Sequence, residues 1–173
     1  MNEITEGFKQ VSDSLSKLGI LVEKVIAEKQ NEIIISKRFV DNMDGVITDL
    51  QTGLTWVRDP ITVLGSHREH FTWNEAISMC NALSFAKIKC WRLPTIQEEL
   101  SIVDYMYGGG RGLAINNDIF KNMKPCYYWT STPCAWSEKD AWVVDIKNGY
   151  SFIDNKSFTH PIHPVCSTTI WTG

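Results

Sequence analysis

Apolar residues near the start of the chain fall at Ile4, Phe8, Val11, Leu15, Leu18, Val22 and Val25, in alternating steps of four and three. This is an unbroken heptad seam, with Phe8, Leu15 and Val22 at a and the others at d. A helix packed on its own domain follows a 3.6-residue period; a strict 3.5 period over three heptads predicts self-association. β-Branched Ile4, Val11 and Val25 at d disfavour a parallel dimer, and Leu21 and Ile26 on the flanks widen the stripe, so the seam predicts a trimer. Gly7 and Gly19 each cost roughly 1 kcal/mol of helix propensity, so the helix depends on partners. The expected division is a trimerising helix over 1–32 and a ligand-binding domain over 33–173.

Beyond the seam the period changes. Ile33-Ile34-Ile35 reads either as a buried strand or as the apolar end of the helix. Arg38-Phe39-Val40 and Val46-Ile47-Thr48 flank an Asp44-Gly45 turn and predict a β-hairpin, followed by a strand at Leu54–Val57. Residues 58–70 read as a loop. Thr72 with Glu75 is a capping box opening a helix whose inner face is Trp73, Ala76, Ile77, Cys80 and Leu83.

In Trp91-Arg92-Leu93-Pro94-Thr95, Pro94 forces Leu93 to be extended, and Thr95 with Glu98 caps a second helix from Ile96 to about Tyr105. That helix is expected to bury Leu100 and Val103 and to stop at Gly108-Gly109-Gly110. Strand patterns follow at Tyr127–Ser131 and Ala141–Ile146, the latter turning at Asn148-Gly149 into Tyr150–Ile153. A closing strand is expected over Ile162–Ser167. Helices set among hairpins make an α+β domain.

Composition narrows the function classes. The 173 residues carry a net charge of -3, which gives nucleic-acid binding no support. No apolar run reaches the ~20 residues of a membrane span, so no membrane insertion is expected. Met1-Asn2-Glu3-Ile4 has neither a basic nor an apolar leader segment, so these residues hold no signal peptide. The five cysteines, Cys80, Cys90, Cys126, Cys134 and Cys166, show no C-x-x-C spacing.

Residues 38–56, Arg-Phe-x-Asp-Asn-x-Asp-Gly-x-x-Thr-Asp-x-x-Thr-Gly-Leu-x-Trp, resemble the opening of the Lcl C-terminal-domain family. So do Thr72-Trp73-x-Glu75-Ala76 with Cys80, the Trp91–Thr95 run, Tyr128–Thr132, Ala141-Trp142-x-Val144-Asp145 with Asn148-Gly149, and Cys166. The resemblance covers about residues 38–168 and departs from the family's usual glycine at Met43. It implies a C-type-lectin-like fold with two helices, a small antiparallel sheet and neighbouring termini. It also implies trimeric assembly and binding of glycans, including glycosaminoglycans, as for the family's best-known adhesin member. A disulfide between the first helix and the last strand is implied as well, which maps onto Cys80 and Cys166. The Trp91-Arg92-Leu93-Pro94-Thr95 segment is shared with the formylglycine-generating branch of that superfamily; here Trp91 and Arg92 read as scaffold.

Candidate chemistry is sparse. Asp41, Asp44 and Asp49 do not have EF-hand spacing, and Asx turns account for them. The Glu-Pro-Asn tripeptide of calcium-dependent lectins does not occur. The histidines form two His-x-x-His pairs, His67/His70 and His160/His163, read as exposed loop residues rather than metal ligands. Cys126 and Cys134 read as a staple or as plain thiols, since their seven-residue gap does not match the formylglycine-type enzymes. Gly108-Gly109-Gly110-Arg111-Gly112 lacks the Lys-Ser/Thr ending of a phosphate loop. No catalytic residue, cofactor or metal is expected.

Of the seven tryptophans, Trp56, Trp73, Trp91, Trp129 and Trp142 read as mostly core, whereas Trp136 lies in the polar stretch Thr132–Asp140. The expected ligand face is Trp136, Lys139, Asp140, Tyr150, Asn155 and Lys156, in loops around the C-terminal sheet. The sequence thus reads as a non-catalytic homotrimer binding a glycan or a cell-surface protein, at a surface or virion location. The alternatives are a receptor-binding protein of a phage or diversity-generating system, and a formylglycine-type oxidase.

Overall fold

The computed structural model describes residues 2–65, 69–107 and 112–167, apart from the side chains of 2–4 and 30–37. Ile4 of the seam, His67 and Gly108–Gly110 therefore lie outside the described side chains or residues. The chain divides into two units, Met1–Arg38 and Phe39–Gly173.

The first unit is one helix, α1 (Asn2–Arg38). It takes in the backbone of Ile33–Ile35, so that run continues the helix, which ends six residues beyond the expected 32. Phe8, Val11, Leu15, Leu18, Val22 and Val25 are all exposed on it, as are Leu21 and Ile26. Ser14 and Ser16 return their hydroxyls to the carbonyls of Gln10 and Ser12.

The second unit holds two antiparallel sheets. The first has the order β1-β2-β3-β7, from β1 (Phe39–Asp41), β2 (Val46–Asp49), β3 (Leu54–Val57) and β7 (Val165–Cys166). The first and last strands of the unit thus form the two edges of one sheet. Its β1–β2 turn is built by Asp41, whose Oδ1 accepts from the Met43 N–H at 2.9 Å. Gly45 follows at φ 89, and a Cβ there would lie 2.7 Å from Phe85 Cζ. Asp49 likewise accepts from the Gln51 N–H and the Thr52 hydroxyl. The expectation of Asx turns at Asp41 and Asp49 holds.

A short helix, α2 (Pro60–Leu64), occupies part of the expected loop, capped by Asp59 Oδ1 accepting from the Thr62 N–H at 3.0 Å. Both predicted capping boxes form, opening α3 (Trp73–Ala82) and α4 (Ile96–Ser101). α4 ends before the expected Tyr105, and its fully buried residue is Glu99 rather than Leu100.

The second sheet is β4-β5-β6, from β4 (Tyr127–Pro133), β5 (Asp140–Asp145) and β6 (Tyr150–Asn155). Alternation along the strands and the register Trp129↔Val143↔Phe152 divide it into two faces. One carries Trp129, Ala141 and Val143 into a cluster with Phe71, Ala76, Cys80 and Leu93 of the α3 side. The other carries Tyr128 and Val144 into the main core with Trp56, Phe120 and Ile115, where Leu100 of α4 also packs. Burying a large side chain of this kind contributes about 2–3 kcal/mol.

Cys166 is bonded to Cys90, with Cα atoms 5.7 Å apart. The pairing of Cys80 with Cys166 is therefore corrected. Cys80 points into the cluster beneath the second sheet, whereas Cys166 lies in β7 of the first, beside Trp91 and Val57. Cys80, Cys126 and Cys134 are free thiols, so Cys126 and Cys134 form no staple.

Candidate functional site

The Trp91–Thr95 run joins the two sheets. Trp91 is buried and its indole N–H donates to the Phe85 carbonyl. Arg92 exchanges backbone hydrogen bonds with Val165 of β7 at 2.9 and 3.0 Å. Its guanidinium grips both Glu98 oxygens at 2.8 Å, a bidentate pair that fixes the start of α4. Burial pushes the Glu98 carboxyl up, but Arg92 and the Thr95 N–H outweigh it and hold it below its ordinary range. With Glu98 turned outward to Arg92, Glu99 is carried inward, about 100° further round the helix.

There Glu99 Oε1 faces His163 Nδ1 at 3.5 Å, both side chains 0% exposed. His163 Nε2 lies 3.0 Å from the Val57 carbonyl, which only accepts, so Nε2 carries a proton. Trp56 and Phe120 pack around the imidazole. The expectation of exposed loop histidines is thus corrected for His163. Residues 161–164 are all buried, Ile162 at 1% and His163 at 0% exposure, so the segment does not run across the surface. His160 is also partly buried, with Nε2 2.8 Å from Asp154 Oδ2 and its ring edge-on to Trp129. Burial lowers the pKa of His160 more than Asp154 raises it. His70 is exposed.

The expected ligand residues sort into different roles. Trp136 stands in the β4–β5 connection, 71% exposed, its ring edge-to-face with Trp142 at 6.0 Å. Lys139 is exposed in the same connection. Asp140, Asn155 and Lys156 build the loop that holds Trp136. Asp140 accepts from the Ser137 hydroxyl at 2.6 Å and from Asn155 Nδ2 at 3.3 Å. Asn155 Oδ1 accepts in turn from the Ser157 N–H and hydroxyl. Lys156 Nζ donates to the Glu138 carbonyl at 2.7 Å and sits 4.4 Å from the centre of the Trp73 ring. Its charge is engaged within the fold, so it is not a free ligand contact.

Tyr150 is elsewhere. It pairs with Asp145 at one end of β6 while Asn155 pairs with Asp140 at the other, about 17 Å along the strand. It also projects from the opposite face to Trp142. Its neighbours are Tyr127, whose hydroxyl is 3.3 Å from its own, and Phe152, two residues on. The hydrogen bond with Tyr127 is the largest of the effects that push the Tyr150 phenol up to about 12. Phe152 was not among the expected ligand residues, although period-two alternation places Tyr150, Phe152 and Asp154 on one face and Asn155 on the other.

A family model described as the Lcl C-terminal domain matches residues 45–166, more than two thirds of the chain. The chain belongs to the Lcl C-terminal-domain family. No curated protein matches it. Within this Lcl C-terminal domain, the matched region starts at Gly45 and ends at the disulfide cysteine Cys166, so it spans both sheets, β1 excepted. The Trp136 loop and the Tyr150–Phe152 face both fall inside it.

Proposed function

We propose that this protein is a non-catalytic, trimeric, lectin-like binding protein, recognising a glycan or a surface receptor through loops of its C-terminal sheet. The observation that carries this is Trp136, a tryptophan exposed on a loop whose shape is held by Ser137, Asp140, Asn155 and Lys156. An aromatic displayed on a rigid loop gives contact area at small entropic cost, as binding sites require.

In this reading the domain is a C-type-lectin-like fold. Its two capped helices beside small antiparallel sheets, with a disulfide tying the last strand, support that assignment. The disulfide also favours an oxidising, surface or extracellular setting. The exposed heptad seam of α1 joins three copies, and three weak contacts on one assembly become useful avidity. A non-catalytic role is supported by the thiols: burial pushes Cys80 up to about 12 and Cys126 up to about 11, so both are protonated and poorly nucleophilic at neutral pH.

Sedimentation equilibrium on the full chain tests the assembly and is expected to give three times the monomer mass; a monomer refutes it. A glycan array run beside a surface-protein screen tests the binding role. Saturable binding lost on Trp136→Ala is the expected result, and binding indifferent to Trp136 overturns this ligand face.

A further inference from the structure

α3 packs against β4, and the face of the second sheet that it shares is left open towards β6. On that open part lie Tyr150, 47% exposed, and Phe152, 55% exposed. Tyr127 of β4 reaches across to both: its ring centre is 6.5 Å from that of Phe152, inclined at 40°, and its hydroxyl meets Tyr150 at 3.3 Å. His160 closes one side, edge-on to Tyr127 at 6.0 Å and bonded to Asp154, which follows Phe152 on the same face.

We propose that Tyr127, Tyr150 and Phe152, with Asp154 and His160 at their edge, form a stacking platform for a neutral saccharide. This rests on reading the domain as glycan-binding, and it adds a site distinct from the Trp136 loop together with the charge class of its ligand. The aromatic faces supply the apolar contact that the C–H face of a sugar ring needs. Register and alternation assign Tyr127, Trp129, Ala141, Val143, Asp145, Tyr150, Phe152 and Asp154 to this face. None is Lys or Arg and two are Asp. Of these, Asp145 is 4% exposed and held in its turn, while Asp154 stands at the open edge. Lys156, next on this side beyond the strand, is drawn off to the Glu138 carbonyl and the Trp73 ring. The sulfate or carboxylate of an anionic glycan is an acceptor that meets like charge here; the hydroxyls of a neutral sugar donate to the Asp154 carboxylate and the phenol oxygens without that repulsion.

The Tyr127 and Tyr150 hydroxyls are already linked, so the rim is ordered before a ligand arrives. Preorganisation of this kind reduces what binding costs. Phe152 packs on its own sheet only along one side, so truncating it removes a ligand surface and leaves the core in place.

The test is calorimetric titration of the full chain with neutral di- and trisaccharides of glucose, galactose, mannose and N-acetylglucosamine, with heparin and an arginine-rich peptide alongside. Saturable binding of a neutral sugar is expected, weakened at least tenfold by Phe152→Ala and by Tyr150→Ala and kept by Phe152→Tyr. It is also expected to stay unchanged between about 0.05 and 0.5 M salt. An unchanged denaturation midpoint in each variant separates loss of binding from loss of fold. Glycan binding that survives both alanine variants and disappears in Trp136→Ala overturns the platform while leaving the glycan reading intact. Heparin binding more tightly than every neutral sugar overturns the charge assignment. Failure of all the sugars, with or without capture of the peptide, overturns the platform and the glycan reading together.

Discussion

Glu99 and His163 face each other in the core, carboxylate to imidazole at 3.5 Å, although they come from a helix start and from the segment entering the last strand. The Arg92–Glu98 pair makes this possible by turning α4 so that the residue after Glu98 points inward. The motif that marks the family therefore positions a buried polar contact between the two sheets.

The two groups meet at this distance without a hydrogen bond, since neither Glu99 side-chain oxygen nor His163 Nδ1 has a hydrogen-bond partner among the described residues. Removing one leaves the other buried alone, which costs about 1–3 kcal/mol. Glu99→Ala and His163→Ala are each expected to lower stability by that amount in urea denaturation. The double variant Glu99→Met/His163→Leu is expected to recover most of the loss, because apolar residues of similar volume carry no desolvation penalty. Single variants costing less than about 1 kcal/mol would show that the pair contributes little.

The disulfide gives a second outcome. Cys90 and Cys166 are separated by 76 residues, and opening so long a loop in the unfolded chain is worth about 4 kcal/mol. Cys90→Ser or Cys166→Ser should each lower the denaturation midpoint strongly, and the double variant no further. Cys80→Ala, which breaks no covalent link, should cost only what its buried sulfur contributes, about 1–2 kcal/mol. Peptide mapping that recovered a Cys80–Cys166 link would reverse the assignment.

Much of this architecture was legible in the sequence because its signals are local. The capping boxes at Thr72 and Thr95, the Asx turns at Asp41 and Asp49 and the Asn148-Gly149 turn each act within four residues. The errors concern contacts between distant segments. Cys166 lies nearer Cys90 than Cys80 because the Phe85–Cys90 stretch, rather than α3, passes β7. His163 reads as solvent-facing because polarity predicts exposure for a side chain considered alone, whereas the fold carries it into the core opposite Glu99. The ligand residues were grouped by nearness in sequence, yet Tyr150 and Asn155 are an odd number apart on one strand and face opposite ways.

Backbone strain at Met43 is a third case. Its φ of 64 places an L side chain in the left-handed region, and the side chain is 89% exposed, so it contributes no packing in return. Met43→Gly should raise stability by about 0.5–1 kcal/mol. Gly149 predicts the opposite. At φ 77 it is held so closely that a Cβ would lie 2.7 Å from Val103 Cγ1 and 2.8 Å from Tyr105 Cε1. Gly149→Ala should cost about 2 kcal/mol or more, visible as a lower thermal midpoint.

His160 predicts an acid-side loss of stability. Its folded pKa is depressed, mainly by burial, so the unfolded chain takes up a proton at about pH 6.5 while the native imidazole remains neutral. Stability from this group is present above that pH and is lost as pH falls towards the lower native pKa. Between about pH 7 and 5 the thermal midpoint should therefore fall, and His160→Gln should flatten that part of the profile. An imidazole titration by NMR at or above the ordinary histidine value would contradict the sign.

Trp136 and Asp140 separate display from scaffold. Trp136 is 71% exposed, so Trp136→Ala should change stability by no more than about 0.5 kcal/mol while weakening binding to the ligand found by the screens at least tenfold. Asp140→Ala removes the acceptor for both the Ser137 hydroxyl and Asn155 Nδ2 and should cost about 1–2 kcal/mol. It should also weaken binding, because the loop that orients Trp136 loses its anchor. Asp140→Asn keeps one acceptor oxygen and is expected to fall between the two. Surface plasmon resonance and urea denaturation on the three variants give the comparison. Binding lost in Asp140→Ala but retained in Trp136→Ala would make the carboxylate the ligand contact and the indole a bystander.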